Sequence, residues 1–290
     1  MAYQLSLRYP QKRAFVTGAA SGLGWALCQK LAHEGWQLGL ADVNAQKLEE
    51  ARQMVLGQGG QAWVFPLDVS DREAYARVAA EFLQKAGGID LLFNNAGVGD
   101  GGKVGEYSLE NWEWMIGINQ MGVIYGCHFF VPVMQAQQSG HIINTASAAA
   151  IASAPGMASY NVTKAAVVSL SETLHTELQD FNIKVSCVMP WFFKTNIIQY
   201  ARGGEEVRRM GQKAVEESPY TAEEVAEIVL QKVGAQKFYV VVTKEAKSMW
   251  WMKRFFPQRF FRLVKRMYDQ QQAEVAQLSV QTPASSLVEK

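Results

Sequence analysis

A serine, a tyrosine and a lysine stand at Ser147, Tyr160 and Lys164, thirteen and four residues apart. Tyr160 opens a long helical pattern, and residues at i and i+4 share a helix face. A free phenol has a pKa near ~10 and is a weak base at neutral pH. A neighbouring ammonium favours the phenolate, each unit of depression corresponding to ~1.4 kcal/mol. Ser147 follows the apolar run His141 to Thr145, which reads as a strand, so its hydroxyl arrives from a strand end. A hydroxyl that orients a substrate oxygen, a phenol that exchanges a proton and a lysine that tunes it make a site for alcohol or carbonyl chemistry. A Tyr-x-x-x-Lys pair is also common on solvated helix faces, so its weight rests on the elements around it.

Those elements alternate. Arg13 to Thr17 is a short apolar run that reads as a buried strand, and Trp25 to Glu34 has a helical pattern. Between them lies Gly18-Ala-Ala-Ser-Gly22-Leu-Gly24. Strand, glycine-rich turn and helix are the context of a dinucleotide site, with free amides and a partial positive charge for a pyrophosphate. Gly18, Ser21, Gly22, Leu23 and Gly24 are therefore cofactor-binding candidates, although the spacing is G-x-x-x-G-x-G and glycine runs also make ordinary turns. A second strand, Gln37 to Ala41, ends at Asp42. A carboxylate there can accept both hydroxyls of an adenine ribose and repels the extra phosphate of NADP. Trp25 offers that phosphate no cation either, so NAD is favoured over NADP. On local sequence Asp42 is equally suited to cap a helix over 43–57.

Further strands are expected at 61–67, 89–93, 183–189 and 237–242. The 61–67 strand leads to Asp68-Val69, the 89–93 strand to Asn94-Asn95-Ala96-Gly97, and the 183–189 strand to Pro190 and Thr195. Asn111 to Gln137 reads as one long helix loosened near Gly117 and Gly122, with Asn119 between them. An amide there can bind a water and pass protons, or be a satisfied core group. Alternating strands and helices specify an α/β fold, a doubly wound parallel sheet of Rossmann type with helices on both faces. Its ligand belongs at the carboxyl ends of the strands, where Gly18 to Gly24, Asp42, Asp68, Asn94 to Gly97, Ser147 and Pro190 to Thr195 all fall. Ser147, Ala149, Met157, Tyr160, Trp191 and Phe192 surround the expected substrate pocket, which has few charges and suits an apolar secondary alcohol or ketone.

Composition bounds the rest. A net charge of +1 over 290 residues argues against a general nucleic-acid binder. No stretch is expected to approach the ~20 apolar residues of a bilayer span, and the N-terminus lacks the pattern of a signal peptide. Cys28, Cys127 and Cys187 read as reduced core residues of a cytoplasmic protein. The four histidines have no metal-ligand spacing, so no metal is expected.

Taken together, the chain resembles the short-chain dehydrogenase/reductase family over roughly residues 12–242. The resemblance rests on Thr17-Gly18-x-x-x-Gly22-x-Gly24, Asp68, Asn94 to Gly97, Asn119, Ser147, Tyr160-x-x-x-Lys164, Pro190 and Thr195. It implies an NAD(P)-dependent oxidoreductase, usually a homodimer or homotetramer. It implies Tyr160 as acid/base, and Lys164 lowering its pKa and holding the nicotinamide ribose. Ser147 would orient the substrate oxygen and Asn119 support a proton relay. Asp68 and Val69 would flank the adenine, Asn95, Ala96 and Gly97 lie beside the cofactor, and Pro190 and Thr195 meet its nicotinamide end. Trp191 departs from the family, which usually has glycine after that proline; the indole is a candidate wall for the substrate pocket.

Domain organisation follows. Residues 1–242 form the dehydrogenase domain, with a polar lid at about 191–220. Residues 243–269 form a basic, aromatic, helical extension, and 270–290 are expected to be disordered. Between 244 and 266 there are eight Lys or Arg and one Glu, a charge of +7, which leaves −6 for the rest of a chain whose net is +1. On a helical wheel from Gln258, Phe260, Phe261, Leu263, Val264, Met267 and Tyr268 form one arc, opposite Arg259, Arg262, Lys265 and Arg266. Such a face suits the inner membrane surface, a partner subunit or the protein's own active-site mouth. The competing readings of the whole are an NADP-dependent carbonyl reductase, and a nucleotide-binding membrane-surface or scaffold protein with a vestigial site.

Overall fold

The computed structural model describes residues 4–195, 197–199 and 201–281. Helix α1 (Leu5–Arg8) and strand β1 (Arg13–Thr17) lead into α2 (Gly22–His33), β2 (Gln37–Asp42), α3 (Ala45–Gly57), β3 (Gln61–Pro66), α4 (Arg72–Ala86) and β4 (Leu91–Asn94). Then come α5 (Leu109–Ile116), a π turn (Gly117–Met121), α6 (Gly122–Gln137), β5 (Gly140–Thr145), α7 (Ala149–Ala152), α8 (Ala158–Glu177) and β6 (Ile183–Met189). Beyond them lie α9 (Glu205–Glu216), α10 (Ala222–Gly234), β7 (Tyr239–Val241), α11 (Lys244–Phe255) and α12 (Pro257–Gln281).

The strands form one sheet in the order β3-β2-β1-β4-β5-β6-β7, with every neighbouring pair parallel. A parallel sheet is covered on both faces, which is why its strands read as apolar runs. On one face Leu27 and Leu31 of α2, Leu48 and Val55 of α3, and Val225 and Val229 of α10 build the core. On the other, Tyr75 and Phe82 of α4, Phe130 and Met134 of α6, and Val167 of α8 do so. Strand order reverses beside β1, where β4 takes the place next to it and opens a crevice at the strands' carboxyl ends.

Three expectations change. Asn44, not Asp42, caps α3: its side chain accepts from the Lys47 amide at 2.9 Å. The stretch 270–281 continues α12 as helix rather than being disordered. It is polar but rich in Gln and Ala, which favour helix intrinsically; the expected disorder of 282–290 lies outside the described residues. Third, Leu109–Gln137 is 29 residues long and reaches a mean hydropathy of 1.2, enough by length and composition to cross a bilayer. Its apolar character has a place inside the domain, since Val123, Phe130 and Met134 are buried in the core.

His141 of β5 is fully buried, with Nε2 2.8 Å from Ser186 Oγ and no partner at Nδ1. Ser186 donates its proton to the Lys237 carbonyl, so His141 Nε2 is the donor and Nδ1 is bare. Burial pushes the ring pKa from 6.5 down to about 3. The unfolded chain therefore binds a proton that the fold refuses. This contribution is whole above 6.5 and is lost as pH falls towards 3, a loss on the order of 4 kcal/mol. Urea unfolding of His141→Gln is expected to show a flatter acid limb than the parent between those two values.

Candidate active site

The glycine loop is shaped by close approaches. Gly18 sits at φ +66°, and a Cβ there would come within 3.0 Å of Ala96 Cα. At Gly24 a Cβ would lie 2.0 Å from the Gly18 carbonyl oxygen, so α2 can press against the loop only without one. No side chain caps α2, which leaves its first amides open beside the loop. The Asp42 carboxylate accepts from the Ala20 amide and the Asn44 amide, each at 3.1 Å. It is thereby fixed at the end of β2, with lone pairs left for hydroxyl donors. Thr17 Oγ accepts from the Asn95 and Ala96 amides, each at 3.0 Å, and ties the end of β4 to β1.

Ser147 arrives just beyond β5 and Tyr160 from the first turn of α8. Burial raises the Tyr160 pKa, and the Ser147 hydroxyl nearby pulls it part of the way back. The phenol stands above its ordinary value. Lys164 lies one turn on, its Nζ 5.8 Å from the Tyr160 ring centre and bonded to the Thr145 carbonyl at 3.0 Å. Burial pushes this ammonium down to about 8. Desolvation is the largest influence on both groups. Gly97 makes room for the arrangement, since a Cβ would meet Asn119 Oδ1 at 3.1 Å and Lys164 Nζ at 3.3 Å.

One cleft of about 280 Å³ runs along these strand ends. Gly18, Ser21, Gly22, Leu23, Asp42, Asp68 and Val69 line its β2 side; Asn95, Ala96, Gly97, Tyr160 and Lys164 its middle; and Ser147, Ala149, Met157, Pro190, Trp191, Phe192 and Thr195 its β6 side. Gly24 and Asn119 stand behind the wall. Asn119, inside the π turn, pairs its amide with both backbone groups of Val98, accepting at 2.8 Å and donating at 2.9 Å. As a side chain it is a satisfied buried amide that holds the loop after Gly97. Trp191 walls the cleft, edge-on to Phe192 with ring centres 5.5 Å apart.

The family model described as short chain dehydrogenase matches residues 12–206. The chain belongs to the short-chain dehydrogenase family. An uncharacterized oxidoreductase of Bacillus subtilis is 33% identical over 71% of this chain and 75% of its own length. The 3-oxoacyl-[acyl-carrier-protein] reductase of Thermotoga maritima is 31% identical over 81% of this chain and 95% of its own. Among solved structures, a short chain dehydrogenase/reductase from Burkholderia phymatum in complex with NAD superposes with a TM-score of 0.80, at 33% identity, covering 84% of this chain and 92% of that one. This short-chain dehydrogenase is thus an oxidoreductase acting on CH–OH groups with NAD or NADP. The open amides of α2, the side-chain-free surfaces of Gly18 and Gly97, and the anchored Asp42 carboxylate fit such a nucleotide chemically.

The dehydrogenase also uses a residue that its sequence did not single out. Asp100 is 1% exposed, in the glycine-rich loop between β4 and α5. Its carboxylate accepts from the Gly101, Arg202 and Gly203 amides at 2.8 to 2.9 Å and from the Tyr107 hydroxyl at 2.5 Å. Arg202 stacks on Trp114, its guanidinium carbon 4.1 Å from the ring centre. Asp100 thereby fastens the segment before α9 to the loop after β4, and Ile197, Ile198 and Val215 of that region line the cleft. The lone acid in Gly99-Asp100-Gly101-Gly102 was the available signal. Asp100→Asn is expected to raise KM for the alcohol about tenfold, as loss of ~1.4 kcal/mol would, with NADH affinity unchanged by fluorescence titration.

Proposed function

We propose that this dehydrogenase interconverts an apolar secondary alcohol and its ketone, with NAD as the favoured cofactor. We further infer a cytoplasmic homodimer or homotetramer. The observation that carries the substrate reading is that Ser147 and the Tyr160 phenol line one cleft whose β6 side is formed by Ala149, Met157, Trp191 and Phe192. Those side chains offer no charge to an anionic or sugar-like molecule and favour burial of apolar surface.

Bound nicotinamide would supply the hydride acceptor for oxidation and the donor for reduction. Ser147 holds the substrate oxygen, and Tyr160 takes the hydroxyl proton as phenolate or returns it as phenol. Lys164, still charged below about 8, favours the phenolate and offers donors to the ribose. Thr195 and Pro190 would hold the nicotinamide end, and Asp68 and Val69 the adenine. Asn119 keeps the Val98 loop in place for a proton relay. The segment 191–220 acts as the lid, fastened at Asp100.

Support for NAD comes from Asp42. Lys47 favours the second reading, NADP, because it lines the same side of the cleft and could meet a phosphate. The deciding experiment is reduction of NAD and of NADP with a panel of apolar secondary alcohols. Turnover with NAD, and a gain of NADP use in Asp42→Ala, is the expected result. Much tighter NADPH than NADH binding in the parent would overturn the NAD assignment. Preference for short charged alcohols would overturn the apolar one.

A further inference from the structure

The two C-terminal helices carry features that the nucleotide cleft does not use. Part of the apolar arc of α12 is spent internally: Phe260 is fully buried, Val264 nearly so, and a Cβ on Gly156 would lie 3.6 Å from the Tyr268 ring. Lys253 of α11 donates to the Ile151 carbonyl at 2.6 Å and to Ser153 Oγ at 3.2 Å. The helix pair is therefore seated on α7, whose residues Ala149 and Ala152 line the substrate side of the cleft.

What remains faces outward. Trp251 and Phe255, one turn apart on α11, stack at 5.5 Å with their planes 5° apart, and are 58% and 60% exposed. Phe256 and Phe261 are also more than half exposed. Cations alternate with them along the sequence: Lys247, Arg254, Arg259, Arg262 and Arg266 are all exposed, and the Arg259 guanidinium carbon lies 5.7 Å from the Phe256 ring centre. An apolar surface turned towards water across two consecutive helices has no folding reason, because Phe260 and Val264 already anchor the pair. Residues 244–266 carry +7 against −6 for the remainder, so this helix pair as a whole is the complement of a polyanionic surface.

We propose that α11 and α12 form a docking face for an anionic lipid bilayer, with Trp251, Phe255, Phe256 and Phe261 reaching the acyl boundary and these cations meeting lipid headgroups. Aromatic and basic residues alternating on helices that lie flat suit that boundary, where rings sit below the headgroups and ammonium and guanidinium groups remain among them. A globular partner would require a matching acidic, apolar patch; a bilayer presents both properties everywhere. Docking turns the α7 side of the cleft towards the lipid. That orientation serves catalysis only under the apolar-substrate reading above, whereas the docking itself does not depend on it.

The test is co-sedimentation of the full-length protein with vesicles of phosphatidylcholine alone and of phosphatidylcholine with phosphatidylglycerol, beside Trp251→Glu/Phe255→Glu. NADH titration reports that both proteins keep the nucleotide site, so a failure of docking is read separately from a failure of the oxidoreductase reading. The expected result is binding to the anionic vesicles, at least tenfold weaker for the double variant and weakened by added salt. Equal binding by both proteins, or no binding to anionic vesicles, overturns the proposal. A change of oligomeric state in the double variant without vesicle binding also overturns it and assigns the face to self-association.

Discussion

Tyr160→Phe is expected to lower turnover about 10³-fold while NADH affinity stays within about a factor of two. The ring is 8% exposed and survives the change, so packing in the first turn of α8 is kept. Only the group that exchanges the proton is lost, and general acid–base catalysis of this kind contributes roughly 10²- to 10⁴-fold. The pH profile gives a second readout. Burial raises the phenol's pKa, so alcohol oxidation, which needs phenolate, should rise with pH on the alkaline side of neutrality. Ketone reduction, which needs phenol, should stay level over the same range and fall only above the phenol's raised pKa. The rise in oxidation should vanish from the residual activity of the variant. Steady-state assays in the two directions check this, and a variant that retained most of its turnover would move the acid/base role elsewhere.

Lys164→Met is expected to lower turnover by about 10²-fold or more and to change how stability depends on pH. The ammonium is 2% exposed, and burial holds it down to about 8 from 10.5. Between those values the unfolded chain carries the proton and the folded chain does not, so this group makes stability rise with pH across that window. Below about 8 the fold carries a buried charge at a disadvantage on the order of 3 kcal/mol. Methionine fills a similar volume without the charge, but leaves the Thr145 carbonyl short of its donor, which costs roughly 1–3 kcal/mol. The two effects nearly cancel at neutral pH, where melting temperatures should be close. The parent should then gain on the variant as pH rises from about 8. Using the difference between the two proteins removes the buried tyrosines and cysteines, which are raised by burial and act in the opposite sense. A constant difference across the window would show that Lys164 is not desolvated as the geometry implies.

The order of these two residues along one face of α8, and the strand ends facing them, were legible because they follow from period alone. Tyr160 and Lys164 share a face at i and i+4, and Ser147 lies just past an apolar run. The same rules placed Asp42 at the cleft, but they did not choose between its two roles. Asp42 and Asn44 are both competent helix caps, and only in the fold is Asn44 seen to take the Lys47 amide. Asp100 was opaque for a different reason. A loop has no period, and its carboxylate works through amides about a hundred residues away, at Arg202 and Gly203. Desolvation was equally hidden, because a motif shows which groups are neighbours and not how much water surrounds them. The wheel of α12 found an apolar arc and said nothing of its occupant, and the arc proves to be divided between burial, at Phe260 and Val264, and the outside, at Phe261 and Met267.

The π turn at Gly117–Met121 holds one residue more than an α-helical path between α5 and α6 needs. Shortening the chain there by one residue would let hydrogen bonds close in ordinary α register, so the helix itself would tolerate the loss. The flanks α5 and α6 would keep their relative setting, but the bulge that presents Asn119 to the Val98 loop would be gone. Asn119 would leave Val98, and the loop after Gly97 would lose both bonds that hold it beside Lys164. A one-residue deletion at this point would therefore be nearly silent to a measure of helix content and severe to a measure of turnover, and length at this position is constrained by chemistry rather than by folding.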